Sequence, residues 1–445
     1  MPFYLTPVFG LQGTGRWDVP EERPTSWRQV LLQRYPRGEL PITALMSKTG
    51  RESVSDPMFH WWEQDAARFV GRISGVYTDE ALTSPLSVHN SPVGTILFLK
   101  VNATEEEPIT NYTIPGSLIH LTATDNSRVS VTAEILEVDR GGGANSKIKV
   151  RLRTPDSGNA AYSLTSCNWA LVLPTVFPEF GGVPEVISYK PGHLFNYCTI
   201  LKEAIALSRT ALKTKDIRPE SDVYLKMKRD ALYGLGVKME RQLLYGVRFE
   251  EVDPVTNQIK RGSMGLMQML QLYGHSDAVK SFKYDPDHAG RTWKESGYEF
   301  LRDFFRVHSQ YVDIESCWHI VGNGVLMALS DLAEHNRMIT MTQADAEYGL
   351  NVKRLITPWG TLNLLTHPLF NQNPSEQYTW IGIPREGLVY RYVDDITFLE
   401  DQSYGKGGIR HIDGRFDLWL VECGYEYHNT KGFFALKDVG LDNVV

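Results

Sequence analysis

Asp394 and Asp395, adjacent carboxylates entered by Tyr392 and Val393, come nearest to chemistry by residue type and spacing. Paired acids on a tight turn can hold two divalent cations and drive phosphoryl transfer. That needs a further carboxylate at metal distance and a basic channel for nucleic acid. The flanks Val389-Tyr390-Arg391 and Ile396-Thr397-Phe398 suit hairpin arms, and the plainer expectation is a solvent-facing turn. Cys317 and His319 stand two apart and share one face of an expected strand. A Cys–His dyad needs contact and an orienting third group. Neighbours along a strand stand side by side, so the expectation is a buried structural pair. The 12 histidines show no H-E-x-x-H spacing. Gly10-Leu11-Gln12-Gly13-Thr14-Gly15 has no strand before it and no Lys-Ser/Thr after it, so it is not read as a phosphate loop. No G-x-S-x-G elbow is present. The sequence therefore predicts no catalytic residue, no cofactor-binding residue, no cofactor and no metal ligand.

Composition bounds the class. The chain has 445 residues, 42% hydrophobic and 22% charged, which allows two to four globular domains. No apolar run approaches the roughly 20 residues that span a bilayer, and the start MPFYLTPVFGLQGTGRW lacks the parts of a secretory signal. The four cysteines, Cys167, Cys198, Cys317 and Cys423, lie far apart and form no disulfide framework, so a reducing compartment with buried thiols is expected. Net charge is −7 and no basic stripe is visible. Lys147–Arg153 (KIKVRLR) alternates cationic and apolar residues, the pattern of a half-buried strand with a solvated face. Mild acidity argues against a protein that grips duplex DNA through its phosphates.

The dominant element is Arg218–Gly246, read as one helix over 221–246. Ser221 or Asp222 is the expected N-cap, and Gly246 a left-handed C-terminal cap. Leu225, Leu232, Leu235, Met239 and Leu243 mark its apolar stripe. Roughly 24 helical residues make a rod of about 36 Å. Gly234 and Gly236 each cost it about 1 kcal/mol, so neighbouring contacts must hold it straight or it bends. Ahead of it, strands are expected at Thr95–Val101, Ser117–Ala123, Ser130–Val138, Lys147–Arg153 and Trp169–Leu173. After it come a helix at Tyr298–Phe305, a buried strand at Ser316–Val321, a helix at Gly324–Glu334 and a hairpin about Pro358-Trp359-Gly360. Strands at Arg415–Tyr427 and Phe433–Leu436 follow. Before residue 45 the chain is Pro-rich and has little core of its own, with one short helix expected at Trp27–Arg34 behind a Ser26/Gln29 capping box.

The ending Glu240-Arg241-Gln242-Leu243-Leu244-Tyr245-Gly246, followed by Arg261-Gly262-Ser263-Met264-Gly265-Leu266, resembles the close of the spine helix in major capsid proteins of tailed double-stranded DNA phages with the Hong Kong 97 phage fold. The likeness covers about 190–440. The resemblance implies an α+β fold with a long spine helix, a mixed axial domain, an extended loop and an inserted small β module. It implies an N-terminal arm at 1–45, an extended-loop and peripheral region at 46–90 and the β module at 91–175. The peripheral domain would follow at 176–261, the axial domain at 262–390 and return strands at 391–445. The implied function is self-assembly into hexamers and pentamers of an icosahedral head. That head would enclose double-stranded DNA without sequence-specific binding, and no reaction would be catalysed. Implied partners are other copies, with scaffolding, portal and decoration proteins allowed and no membrane. The implied location is the virion, assembled in the host cytoplasm. Two alternatives stay open: an encapsulin-like compartment shell, and a nucleic-acid polymerase, since Tyr392–Asp395 resembles the metal-binding turn of reverse transcriptases.

Overall fold

A computed structural model describes residues 50–443 apart from 66–68, 103–107, 125–127, 178, 180–185, 214–222, 337–339, 344–351, 358–359 and 403–413. The arm, its expected helix at Trp27–Arg34, the Gly10–Gly15 segment and the expected caps Ser221 and Asp222 lie outside the described residues. The chain forms two compact units, one of residues 1–61 with 193–445 and one of 62–192.

Unit 62–192 is all antiparallel sheet. Its strands run in the order Val70–Arg72, Trp169–Thr175, Ser117–Thr122, Ser130–Asp139, Ser146–Leu152, Ile96–Val101, Gly75–Tyr77. The two edge strands are consecutive in sequence, and only Ile73 and Ser74 separate them. Ile73 N–H donates to Asn168 O on one side of the gap, and Ser74 N–H to Lys100 O on the other. The sheet therefore closes on itself as a small barrel, which removes its free edges. Strict alternation fills the interior: Ile148, Val150 and Leu152 are buried while Lys147, Lys149 and Arg151 face outward. The five strands expected from alternation in this region are all present. The two short ones that close the barrel were not foreseen.

In the other unit, the long helix spans Val223–Tyr245 and runs unbroken through Gly234 and Gly236. Its stripe is only half as expected. Leu235, Met239 and Leu243 are buried, but Leu225 and Leu232 are exposed. The N-terminal half is held by its neighbours through polar groups instead. Trp419 Nε1 donates to Lys228 O at 3.2 Å, and the Lys228 ammonium sits 3.5 Å from the centre of the Phe398 ring; further along the helix, Lys238 pairs with Glu203. The sheet that supplies these partners has four strands, Arg51–Ser53, Leu388–Leu399, Gly414–Tyr427 and Thr199–Ser208 in spatial order.

Gly246 is not left-handed. It is glycine because a Cβ there would lie 2.4 Å from Gln242 O and 2.6 Å from Ser263 O. Gly265 is its counterpart: Gly265 N–H donates to Gly246 O at 2.8 Å, and a Cβ on it would meet Gly246 N at 2.5 Å. The two glycine-bearing segments that suggested the resemblance thus lie against each other, backbone on backbone. Gly265→Ala is expected to lower unfolding free energy by about 1–3 kcal/mol through overpacking, read from a shift of the denaturant midpoint; an unchanged midpoint would show that the backbones separate freely.

Beyond the helix lies a seven-stranded mixed sheet, in the order Val279–Ser281, Phe434–Lys437, Trp380–Pro384, Cys317–Val321, Gly360–Thr366, Val352–Thr357, Thr340–Gln343. Alternate residues serve two cores. Ile320, Ile381 and Ala435 pack with the long helix and the helix Leu266–Tyr273. Val321, Trp380 and Phe434 pack with the helices Trp293–His308 and Asn323–Asn336. A sheet covered on both faces explains why these strands read as unbroken apolar runs.

Candidate functional site

Tyr392–Asp395 is not a turn. It lies inside the strand Leu388–Leu399, and the register against Gly414–Tyr427 slips twice, between Tyr392 and Asp394 and again before Thr397. The β-branched and aromatic residues on both sides carry the strand through, and a bulge absorbs the extra residues. The bulge aims Asp395 at the chain's own entry segment. Its Oδ2 meets Arg51 Nη2 at 2.5 Å, and Tyr390 OH donates to its Oδ1 at 3.2 Å. Asp394 accepts from Thr397 Oγ1 at 3.1 Å. Among the described residues no group of three His, Cys, Asp or Glu side chains is placed to hold a metal ion.

These carboxylates belong to a tie. Arg51–Ser53 adds in parallel to Tyr390–Tyr392, with Tyr390 N–H donating to Gly50 O and Val54 N–H to Tyr392 O. Arg391 bridges Glu52, on the added strand, and Glu426, on the neighbouring strand. Burial alone would raise the Glu426 carboxyl. Hydrogen bonds from His428 and Arg391 outweigh it and hold Glu426 below its usual range. Residues 50–54 are thus fixed to the sheet beneath the long helix by backbone pairing and a charge network.

Cys317 and His319 are both buried in the strand Cys317–Val321, but their polar atoms point to different partners. The His319 ring bonds Ile314 O through Nε2 at 3.1 Å and accepts from Trp380 Nε1 at Nδ1. The Cys317 thiol turns to Asp313 O. Burial pushes the Cys317 thiol up to about 12, which keeps it protonated and unreactive. All four cysteines are free and buried.

The cationic face of the barrel is largely neutralised. Lys147 pairs with Glu80, Lys149 with Glu137 and Arg153 with Glu134. Sequence reasoning missed a buried pair, Glu240 with His367, each fully shielded and 3.1 Å apart. Nothing local marks either residue, because they are far apart in sequence. No helix among the described residues is long and apolar enough to cross a membrane.

The model of the SU10 major capsid protein family matches residues 37–440. The chain belongs to that family. It is a structural protein of the virus particle, not an enzyme, and it works as many copies in a shell. No curated protein matches it. Solved structures that resemble it include a chain from Microbacterium phage Oxtober96, with 8% identity over 93% of this chain and 96% of that one, at a TM-score of 0.43. The capsid of Cyanophage P-SCSP1u shares 9% identity over 59% of this chain and 79% of that one, at 0.36. The holo-SrpI encapsulin complex from Synechococcus elongatus shares 10% over 56% and 76%, also at 0.36. At these scores the structural likenesses accompany the family assignment and add no weight to it.

Proposed function

We propose that this capsid protein is the tile of an icosahedral phage head, arranged in hexamers and pentamers around packaged double-stranded DNA. The family match over 37–440 is the observation that carries this reading. In this reading the long helix Val223–Tyr245 and the four-stranded sheet form the peripheral domain, to which the segment 391–445 returns through the strand Gly414–Tyr427. The seven-stranded sheet and its helices form the axial domain, mostly between about 262 and 390, and the strand Phe434–Lys437 from the 391–445 segment joins this sheet rather than the peripheral one. The barrel is the inserted module of the extended loop, and residues 1–45 are an arm lying on neighbouring copies. Assembly takes place in the host cytoplasm, where scaffolding, portal and decoration proteins are the further partners. Mild net acidity and the paired charges on the barrel support a wall that leaves its DNA free to move. Heterologous contacts that close into rings account for the capsomers.

Electron microscopy of the purified protein is expected to show shells or capsomers, and deleting residues 1–44 to impair shells while the subunit still folds. A product that stays monomeric at high concentration would overturn assembly. Nuclease-protected DNA in native particles separates a head from an encapsulin-like compartment.

A further inference from the structure

The long helix is followed by a hairpin, Phe249–Val252 against Ile259–Gly262, that pairs with no other described strand. Its base is tied down: Ser263 N–H donates to Thr199 Oγ1 at 2.6 Å. Its tip is preorganised. The Asp253 carboxylate accepts from the Thr256 hydroxyl at 2.5 Å and from the Val255 and Thr256 N–H groups. Asn257 N–H donates to Asp253 O, Asp253 N–H to Gln258 O, and Asn257 takes φ +53°. What this braced turn displays is apolar. Val252 and Ile259 face each other across the strands at 57% and 56% exposure, and Val255 at the turn is 89% exposed.

The charges are sorted by strand. Glu250 and Glu251 are on one, Lys260 and Arg261 on the other, with Arg261 bonded to Glu250 at 2.7 Å and Lys260 to Glu251 at 3.6 Å. A two-stranded hairpin has no core of its own to hold three aliphatic side chains, and a rigid, charge-sorted tip that offers them to water is shaped for a contact. Because one strand is acidic and the other basic, a second hairpin alongside meets acid with base when the copies point the same way round. Like strands brought together repel. That favours a head-to-tail contact between copies over a two-fold one.

We propose that this hairpin is a contact between subunits, with Val252, Val255 and Ile259 packing on a second copy of this chain. The proposal rests on the shell reading and names one surface through which the shell is joined. The four native cysteines are buried, so Val255→Cys adds a single exposed thiol at a position whose side chain supports nothing within the subunit. Maleimide labelling of Cys-substituted particles is expected to be at least about ten-fold slower than that of dissociated subunits, and a benzophenone maleimide attached to the dissociated subunits before reassembly should give a dimer-mass product on illumination of the particles. Val255→Asp is expected to leave the unfolding midpoint of the unassembled subunit unchanged while particle yield collapses. Equal labelling rates in the two forms, or normal particle yield from the aspartate variant, would overturn the hairpin contact and leave the shell reading standing. A wild-type protein that never assembles would overturn both.

Discussion

Replacing His367 with alanine is expected to destabilise the subunit by about 3–5 kcal/mol, because it strips a buried carboxylate of its imidazole. Leu369 N–H donates to His367 Nδ1 at 3.2 Å, which leaves the ring proton on Nε2, and Nε2 stands 3.1 Å from Glu240 Oε2. The two atoms meet at ion-pair distance without an aligned hydrogen bond. Neither side chain is exposed at all, so solvent cannot take over the role of either partner. The ring also stacks on Phe370, with centroids 4.7 Å apart, and the His367 backbone N–H donates to Val321 O. Glu240 is on the long helix and His367 just beyond the strand Gly360–Thr366, so the pair ties the rod to the mixed sheet. Glu240→Leu combined with His367→Leu is expected to recover most of the loss, since apolar replacement of a whole buried pair is often nearly neutral. Denaturant unfolding at subunit concentrations below assembly measures both variants. A loss under about 1 kcal/mol for the alanine variant would show that the carboxylate is satisfied without the imidazole.

What could be read from the sequence was local. Barrel strands announced themselves because an apolar residue at every second position is the condition for burying one face, and Lys147–Arg153 is that pattern written out. The long helix was legible from its length and its C-terminal half. Its exposed Leu225 and Leu232 were misassigned because periodicity shows which residues share a face and not what covers it. The helix Trp293–His308 starts five residues ahead of expectation, at a capping box of Thr292 and Glu295 that the sequence displays and the aromatic run beyond it overshadowed. Gly246 was assigned a cap when its close approach to Gln242 O and Ser263 O was the reason for it, and Ser263 lies on another segment. Barrel closure rests on two strands of three residues each, too short to carry a period. The candidate site was least legible. Asp395 looked like chemistry because its partner Arg51 lies 344 residues away, and only the folded chain shows that its charge is spent on a structural tie.

Acidification from pH 7.5 to 5 is expected to remove about 4 kcal/mol of subunit stability, through two histidines that the fold keeps neutral. His308 is lowered from 6.5 to about 3, first by burial and then by His275 beside it. His319 is lowered to about 4, again by burial. The geometry shows why neither accepts a proton. Asp277 N–H donates to His275 Nδ1, so His275 Nε2 carries a proton and donates to His308 Nδ1 at 3.1 Å, and His308 Nε2 donates to Gly432 O at 3.1 Å. Protonating His308 breaks the link to His275, and protonating His319 breaks the bond from Trp380 to its Nδ1. Unfolded histidines take up protons near pH 6.5, whereas these two wait until pH 3 to 4. Between those limits the unfolded chain binds more protons, so the stabilisation is complete above pH 6.5 and shrinks as pH falls. At pH 5 the deficit is roughly 2 kcal/mol for each ring. Ordinary aspartate and glutamate side chains titrate at about pH 4, below this window. Replacing both by glutamine should flatten the profile between pH 7.5 and 5, and a wild-type unfolding free energy that is level across that range would mean that water reaches the rings.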